Sequence, residues 1–355
     1  MAHIKDIEIS NFKSFTDFNL KGLGRFNIII GDNNVGKSSF MEAALVSENI
    51  DEAILSLYRM AEVRSGLGEL SNNVLDDYYS SRLSNKQFEI TIVNTHSEKC
   101  KIKFKRTHVD EFKNDENLNQ QFLYELSLKN VLKSDVKSKD EFLYDVVYVN
   151  EVPRRLISKY KTSFGGYVPF VSSGFYYSND LVGYYSKFIS IKKENEKSIV
   201  DFLSKIFVDL EAIKVVSENG VSRLLVNLKS SSTPVPMSMF GDGFVKLFRI
   251  IMELFQCKNG KLMIDEIDSG IYYKKYPEFW KAIFLNVREN NNQVFATTHS
   301  KECLTSLVGF VKENQEFKEY IRIVNLRVNK SGDPMAVCYN FEEFETSVDL
   351  ENEIR

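Results

Sequence analysis

The sequence predicts an α/β chain: a mixed central sheet with an antiparallel β subdomain and a helical lobe. Three observations predict it. First, a short apolar run at 25–30 enters a glycine-bearing loop and leaves it in a stretch of helical character at 39–45. Second, the apolar run at 261–264 is followed by a helix with Pro277 in its first turn and then by a second buried run at 293–297. Strand, helix, strand implies a parallel crossover. Third, the stretches 88–93, 100–105, 122–128 and 142–149 alternate apolar and polar residues between polar turns, the pattern of an antiparallel meander.

The remaining elements follow in chain order. Residues 3–10 alternate and read as a first strand, and Phe18, Asn19 and Leu20 as a second before the loop 21–24. Residues 50–64 carry Ala53, Ile54, Leu57, Tyr58 and Met60 or Ala61 at helical spacing. Across 150–190 the chain is rich in Tyr, Ser and Gly, and only Phe170 to Gly174 reads as a strand entering a turn. A helix is expected over 193–210, where Ile199, Phe202, Leu203, Ile206, Phe207 and Leu210 form one stripe, then a strand over 221–228 and a helix over 243–256. Residues 320–328 and 335–341 form a hairpin around 329–334, ahead of an acidic tail. The expected division is 1–49, the N-terminal β region with the loop; 50–230, an inserted β-meander and helical lobe; and 231–355, the remainder of one head.

Composition narrows the class. A chain of 355 residues can bury a large core, and 43% hydrophobic with 27% charged residues reads as globular. A net charge of −3 gives no global pull toward nucleic acid or an anionic membrane. Lys99, Lys101, Lys103 and Lys105 share one strand face, which reads as an ordinary solvated face more readily than as a nucleic-acid groove. Cys100, Cys257, Cys303 and Cys338 lack metal-ligand or disulfide spacing. With no apolar leader and no run near the ~18 residues of a membrane span, a cytoplasmic protein is expected.

The chemistry lies in Gly31-Asp32-Asn33-Asn34-Val35-Gly36-Lys37-Ser38-Ser39, which fits the phosphate-loop pattern between strand and helix. Gly31 and Gly36 let the backbone turn so that successive N–H groups and the helix N-terminus surround a β-phosphate. Lys37 supplies a point charge to the β/γ oxygens and the Ser38 hydroxyl is a ligand for Mg2+, with ATP as the nucleotide; Asn33, Asn34 and Ser39 complete the cradle. The strand at 261–264 ends in Asp265 and Glu266: Asp265 can hold the Mg2+ shell and Glu266 polarise the attacking water. A strand ending in acids by chance is common, but here it follows a phosphate loop in the right order. His299 closes the next strand, where an imidazole suits sensing the γ-phosphate, although an isolated histidine there is more often structural. Between these lies the turn 239–246, whose Asp242 and Gly243 open a helix and offer a second N-terminus to an anion.

These elements, together with the opening 4–15 and the stretches 262–268, 296–300, 341–344 and 353–355, resemble the ABC-type ATPases of the SMC, RecF and overcoming-lysogenization-defect (OLD) group. The nearest resemblance is to small OLD-like bacterial ATPases without a nuclease domain, of the kind used in phage defence. The resemblance implies a P-loop NTPase of ABC-ATPase head type. It also implies a homodimer or higher homo-oligomer built through composite ATP sites, in which Asp242 and Gly243 of one copy complete the site of the other. Gly241 stands where the group usually has a signature serine, and the segment 268–272 lacks the usual aspartate, ending in Tyr272. Ser172 and Ser173 mark the place of the usual Mg2+-sensing glutamine.

Residues 40–238 carry strands and short helices, not the heptads of long SMC arms, and 300–355 are too few for an OLD nuclease domain. The resemblance alone implies a Mg-ATP-hydrolysing sensor that regulates a separately encoded partner effector, a nuclease or toxin, in anti-phage defence. The alternatives are a RecF/SMC-like DNA repair ATPase that binds DNA directly, and an ATP-locked assembly scaffold with little turnover.

Overall fold

Lateral hydrogen bonding in one six-stranded sheet gathers segments from both ends of the chain. The computed structural model describes residues 3–46, 87–108, 122–131, 142–149, 152–157, 169–173, 179–192 and 194–349. In chain order these form β1 (Ile4–Phe12), β2 (Phe15–Lys21), β3 (Phe26–Ile30), α1 (Lys37–Leu45), β4 (Gln87–Asn94), β5 (Lys99–His108), β6 (Phe122–Val131), β7 (Phe142–Val149), β8 (Val152–Ile157) and β9 (Phe170–Val171). They continue with α2 (Asn179–Ile191), α3 (Glu194–Ser204), β10 (Leu210–Glu218), β11 (Val221–Leu228), β12 (Val235–Pro236), α4 (Asp242–Gln256), β13 (Lys261–Ile264), α5 (Tyr276–Asn290), β14 (Gln293–Thr297), α6 (Lys301–Glu313), β15 (Ile321–Val328), β16 (Pro334–Tyr339) and α7 (Phe341–Asp349).

The central sheet has the order β16-β15-β3-β14-β13-β9. Every pair is parallel except β15 with β16. All five residues of β3 are buried, as expected of a strand covered on both faces. Successive side chains alternate between two cores. Ile28 joins Ile264, Ala296 and Ile323 against the helices α4, α5 and α6, whereas Ile29 joins Met263, Phe295 and Val324 against α1 and the β1–β2 hairpin. Because the five strands run the same way, their C-terminal ends lie along one edge, and that edge carries the polar loops.

A second sheet, β2-β1-β4-β5-β6-β7-β8, is antiparallel throughout. β1 pairs with both β2 and β4, so the N-terminal hairpin and the meander share one ladder. Glu8 faces Lys99, and Glu89 faces Lys101 and Lys103. Among the described residues this strand face is therefore of mixed sign. A third sheet, β10-β11-β12, stands beside α2 and α3.

Several elements depart from expectation. The helix expected over 193–210 ends at Ser204, and Leu210 opens β10, which pairs with β11 along its whole length. Leu210 continues the helical spacing of Ile206 and Phe207 only by coincidence; the cross-strand partner decides the conformation. β8 and α2 occupy parts of 150–190 where only the strand at Phe170 was expected. α6 was not expected at all. The described part of the acidic tail is helix α7, held by buried Phe341 and Phe344. The helix expected at 50–64 lies outside the described residues. Among the described residues, no helix is long and apolar enough to cross a membrane.

The helical side of the sheet is organised on Phe284. Its ring lies 4.6 Å from Phe26, 5.3 Å from Phe310 and 5.2 Å from Phe317, next to fully buried Trp280. Phe284→Ala is expected to lower unfolding free energy by about 3–5 kcal/mol. Urea denaturation followed by the fluorescence of Trp280, the chain's single tryptophan, measures it.

Candidate functional site

The phosphate loop leaves β3 through Gly31, whose φ is +139°. A Cβ there would lie 2.1 Å from the Leu326 carbonyl oxygen on β15, so only glycine lets the loop turn this close to the neighbouring strand. Asn34 (φ +64°) and Gly36 (φ +102°) are also left-handed, and Gly36 caps α1. Lys37 is buried, and its ammonium donates to the Gly31 and Asp32 carbonyl oxygens at 2.8 and 2.6 Å. The lysine thus braces the loop from within. Burial lowers its pKa, while Asp265, Asp32 and Glu266 pull it the other way.

An open cleft of about 660 Å3 lies over this loop. It brings together Asn33, Asn34, Gly36, Lys37, Ser38 and Ser39 with Asp265, Glu266 and His299, and adds Lys13, Ser14 and Thr297. β14 lies between β3 and β13, which is why loops more than two hundred residues apart in sequence meet here.

Thr297, like Lys13 and Ser14, was not expected in the site from sequence. Its hydroxyl donates to Asp265 Oδ1 at 2.7 Å and accepts the Glu266 N–H at 2.7 Å, so one buried side chain orients the Asp265 carboxylate and holds the Glu266 main chain. The Thr-Thr-His-Ser stretch marked the strand end, but nothing local disclosed which strand Thr297 would face. The next residue repeats the arrangement, with Thr298 Oγ1 donating to Asp268 Oδ1 at 2.6 Å. Glu266 has φ +48°, an uncommon conformation for a residue with a side chain, costing on the order of 1–3 kcal/mol.

Lys13 and Ser14 come from the turn between β1 and β2. Lys13 pairs with buried Glu42 on α1, tying that turn to the helix behind the phosphate loop. His299 is exposed at the cleft. Ser172 and Ser173 follow β9, and the Asp265 N–H donates to the Val171 carbonyl at 2.8 Å, so they stand at the same sheet edge as the acids. Gly241 and Asp242 are exposed at the start of α4, and neither Asp242 nor Gly243 lines the cleft of its own chain.

The donor set suits Mg2+. Ser38 and Asp265 face one cleft, Asp265 is oriented by Thr297, and among the described residues no cluster of three or more His, Cys, Asp or Glu side chains could cage a metal. A hydroxyl and one carboxylate, with water and phosphate oxygens filling the remaining positions, is the arrangement Mg2+ accepts.

Residues 26–304 match the family described as "AAA domain, putative AbiEii toxin, Type IV TA system". A Helicobacter pylori protein named ATP/GTP phosphatase is 26% identical over 338 residues, covering 87% of this chain and 89% of that protein. Among solved structures, the SmcHead bound to the C-winged helix domain of ScpA superposes with TM-score 0.53 at 14% identity, covering 96% of this chain and 98% of that one. The Smc head domain with an extended coiled coil, bound to the C-terminal domain of ScpA derived from Pyrococcus furiosus, gives TM-score 0.50 at 13% identity, with 99% and 100% covered. These likenesses show a P-loop ATPase head of the SMC type as the fold.

Thr297→Val keeps the shape of the side chain and removes both hydrogen bonds. The Mg2+ concentration for half-maximal nucleotide turnover is expected to rise roughly 10-fold or more. A Mg2+ titration of phosphate release, beside a thermal melt, checks this.

Proposed function

This chain belongs to the AAA domain family that its residues 26–304 match, and from that premise we propose that it is a Mg-ATP-driven switch that pairs with a second copy and gates a separately encoded effector in the cytoplasm. It is an ATPase by family, and the name of its Helicobacter pylori relative agrees. The meeting of Lys37, Asp265 and Glu266 in one cleft, with Thr297 bonded to the Asp265 carboxylate and the Glu266 N–H, is the observation that carries the hydrolytic reading.

Each residue then has a part. The loop N–H groups and Lys37 hold the β- and γ-phosphates. Ser38 and Asp265 would hold Mg2+, which would supply charge neutralisation for the phosphates. Glu266 accepts a proton from the water that attacks the γ-phosphorus as the bond to the β–γ bridging oxygen breaks, and His299 meets the γ-phosphate oxygens.

Asp242 and Gly243 belong to the second copy's site. Their absence from their own cleft and the exposure of Asp242 support that reading. The family's description as an AbiEii toxin of a type IV toxin–antitoxin system supports a setting in which a toxin or nuclease is controlled, and the resemblance to OLD-like ATPases supports phage defence. The pairing of Lys99, Lys101 and Lys103 with Glu8 and Glu89 gives no support to direct DNA binding through that face.

Glu266→Gln preserves the shape of the side chain and removes the base. Turnover is expected to fall by at least ~100-fold, and the variant to accumulate as a larger species in Mg-ATP. Phosphate release and light-scattering mass, each with and without Mg-ATP, test both parts. A mass that ignores nucleotide in both proteins rules out the pairing, and unchanged turnover in the variant rules out Glu266 as the base.

A further inference from the structure

Helix α4 carries a lysine that nothing in the cleft accounts for. Lys246 is fully buried, and its ammonium donates to the main-chain carbonyl of Glu266. A buried ammonium is costly unless it is paired and hydrogen-bonded, so its presence beneath the acids calls for a cause. Asp268, Glu266 and Asp265 supply the opposing charge, and Cys303 faces it from α6; burial lowers its pKa to about 8, so it stays largely protonated at neutral pH.

Two further observations point the same way. Glu266 is held in its left-handed conformation from both sides: its N–H by Thr297, its carbonyl by Lys246 and by the Ser269 N–H at 2.9 Å. One turn earlier on α4, a Cβ on Gly243 would lie 2.4 Å from the Gly270 carbonyl oxygen. Gly243 and Lys246, at i and i+3, therefore face the same loop, one by backbone contact and the other by charge. The turn bearing Asp242 and the main chain from Glu266 to Gly270 are thus joined by two direct contacts.

We infer that Lys246 is a positioning residue: it ties the first turns of α4 to the Glu266 main chain, fixing where that carboxylate points and linking engagement of Asp242 and Gly243 to the chain's own hydrolytic centre. This rests on the reading of Glu266 as the base. Removing the tie leaves the phosphate loop untouched, so nucleotide affinity survives while the chemical step suffers. Asp265 and Asp268 are only half-buried and Glu266 is exposed, so water can solvate these carboxylates when the ammonium is removed, and the fold survives the change.

The test compares wild type, Lys246→Met, Lys246→Arg and Glu266→Gln in steady-state ATP turnover, fluorescent-nucleotide binding and thermal melting. Lys246→Met is expected to lose more than ~10-fold in kcat with KM and nucleotide affinity within about threefold of wild type, even where Tm falls modestly, and Lys246→Arg to recover part of the rate. A Lys246→Met kcat within about twofold of wild type, with Glu266→Gln inactive, overturns the inference alone. Parallel loss of rate, affinity and Tm in both lysine variants assigns Lys246 a purely structural role and also overturns it. Turnover retained in Glu266→Gln overturns the reading of the site itself.

Discussion

The ladder that joins β3, β14 and β13 decides where the chemistry can occur. Parallel pairing of Val294 to Thr297 with Phe26 to Ile29, and of Lys261 to Ile264 with Gln293 to Ala296, aligns three strand ends in register. A slip of one residue in either pair would turn Met263 and Phe295 toward the wrong core and carry Thr297 away from Asp265. The register that packs the two cores is thus the register that assembles the cleft. Gly31 adds a constraint from the other side, because its approach to Leu326 brings the hairpin strand β15 against the root of the phosphate loop.

Charge is arranged around this ladder in two tiers. Lys37 faces the cleft and braces the loop through the Gly31 and Asp32 carbonyls, a geometry that phosphate oxygens can take over when nucleotide enters. Lys246 lies beneath, against the Glu266 carbonyl. Burial lowers the pKa of both lysines; Asp265 and Glu266 oppose it at each, joined by Asp32 at Lys37 and by Asp268 at Lys246.

The phosphate loop and the two acids could be read from sequence because their chemistry is local: glycine, lysine and serine at fixed spacing, or a strand whose last residues change from apolar to acidic. Thr297 could not, since its role depends on which strand lies beside β13. Lys246 lay within a stretch already noticed for its glycine-bearing turn, but a lysine four residues into an amphipathic helix gives no sign that it will be buried. α6 was overlooked although Ser300 caps it by accepting the Cys303 N–H at 3.1 Å and Leu304, Leu307, Val308 and Val311 follow at helical spacing. Thr305, Ser306 and Gly309 weaken its intrinsic helicity, and packing on α5 decides the outcome. β10 was hidden by the chance phase of Leu210.

The central claim is that Ser38 and the Thr297-oriented Asp265 create a site for Mg2+ only when nucleotide phosphates are present. Equilibrium binding of ATP to the wild type and to Asp265→Asn, by calorimetry with and without Mg2+, tests it most directly. The account predicts that Mg2+ tightens ATP binding to the wild type by at least ~10-fold and that the variant loses most of this gain. Equal affinities with and without Mg2+ in the wild type, or the same Mg2+ gain in both proteins, would contradict it.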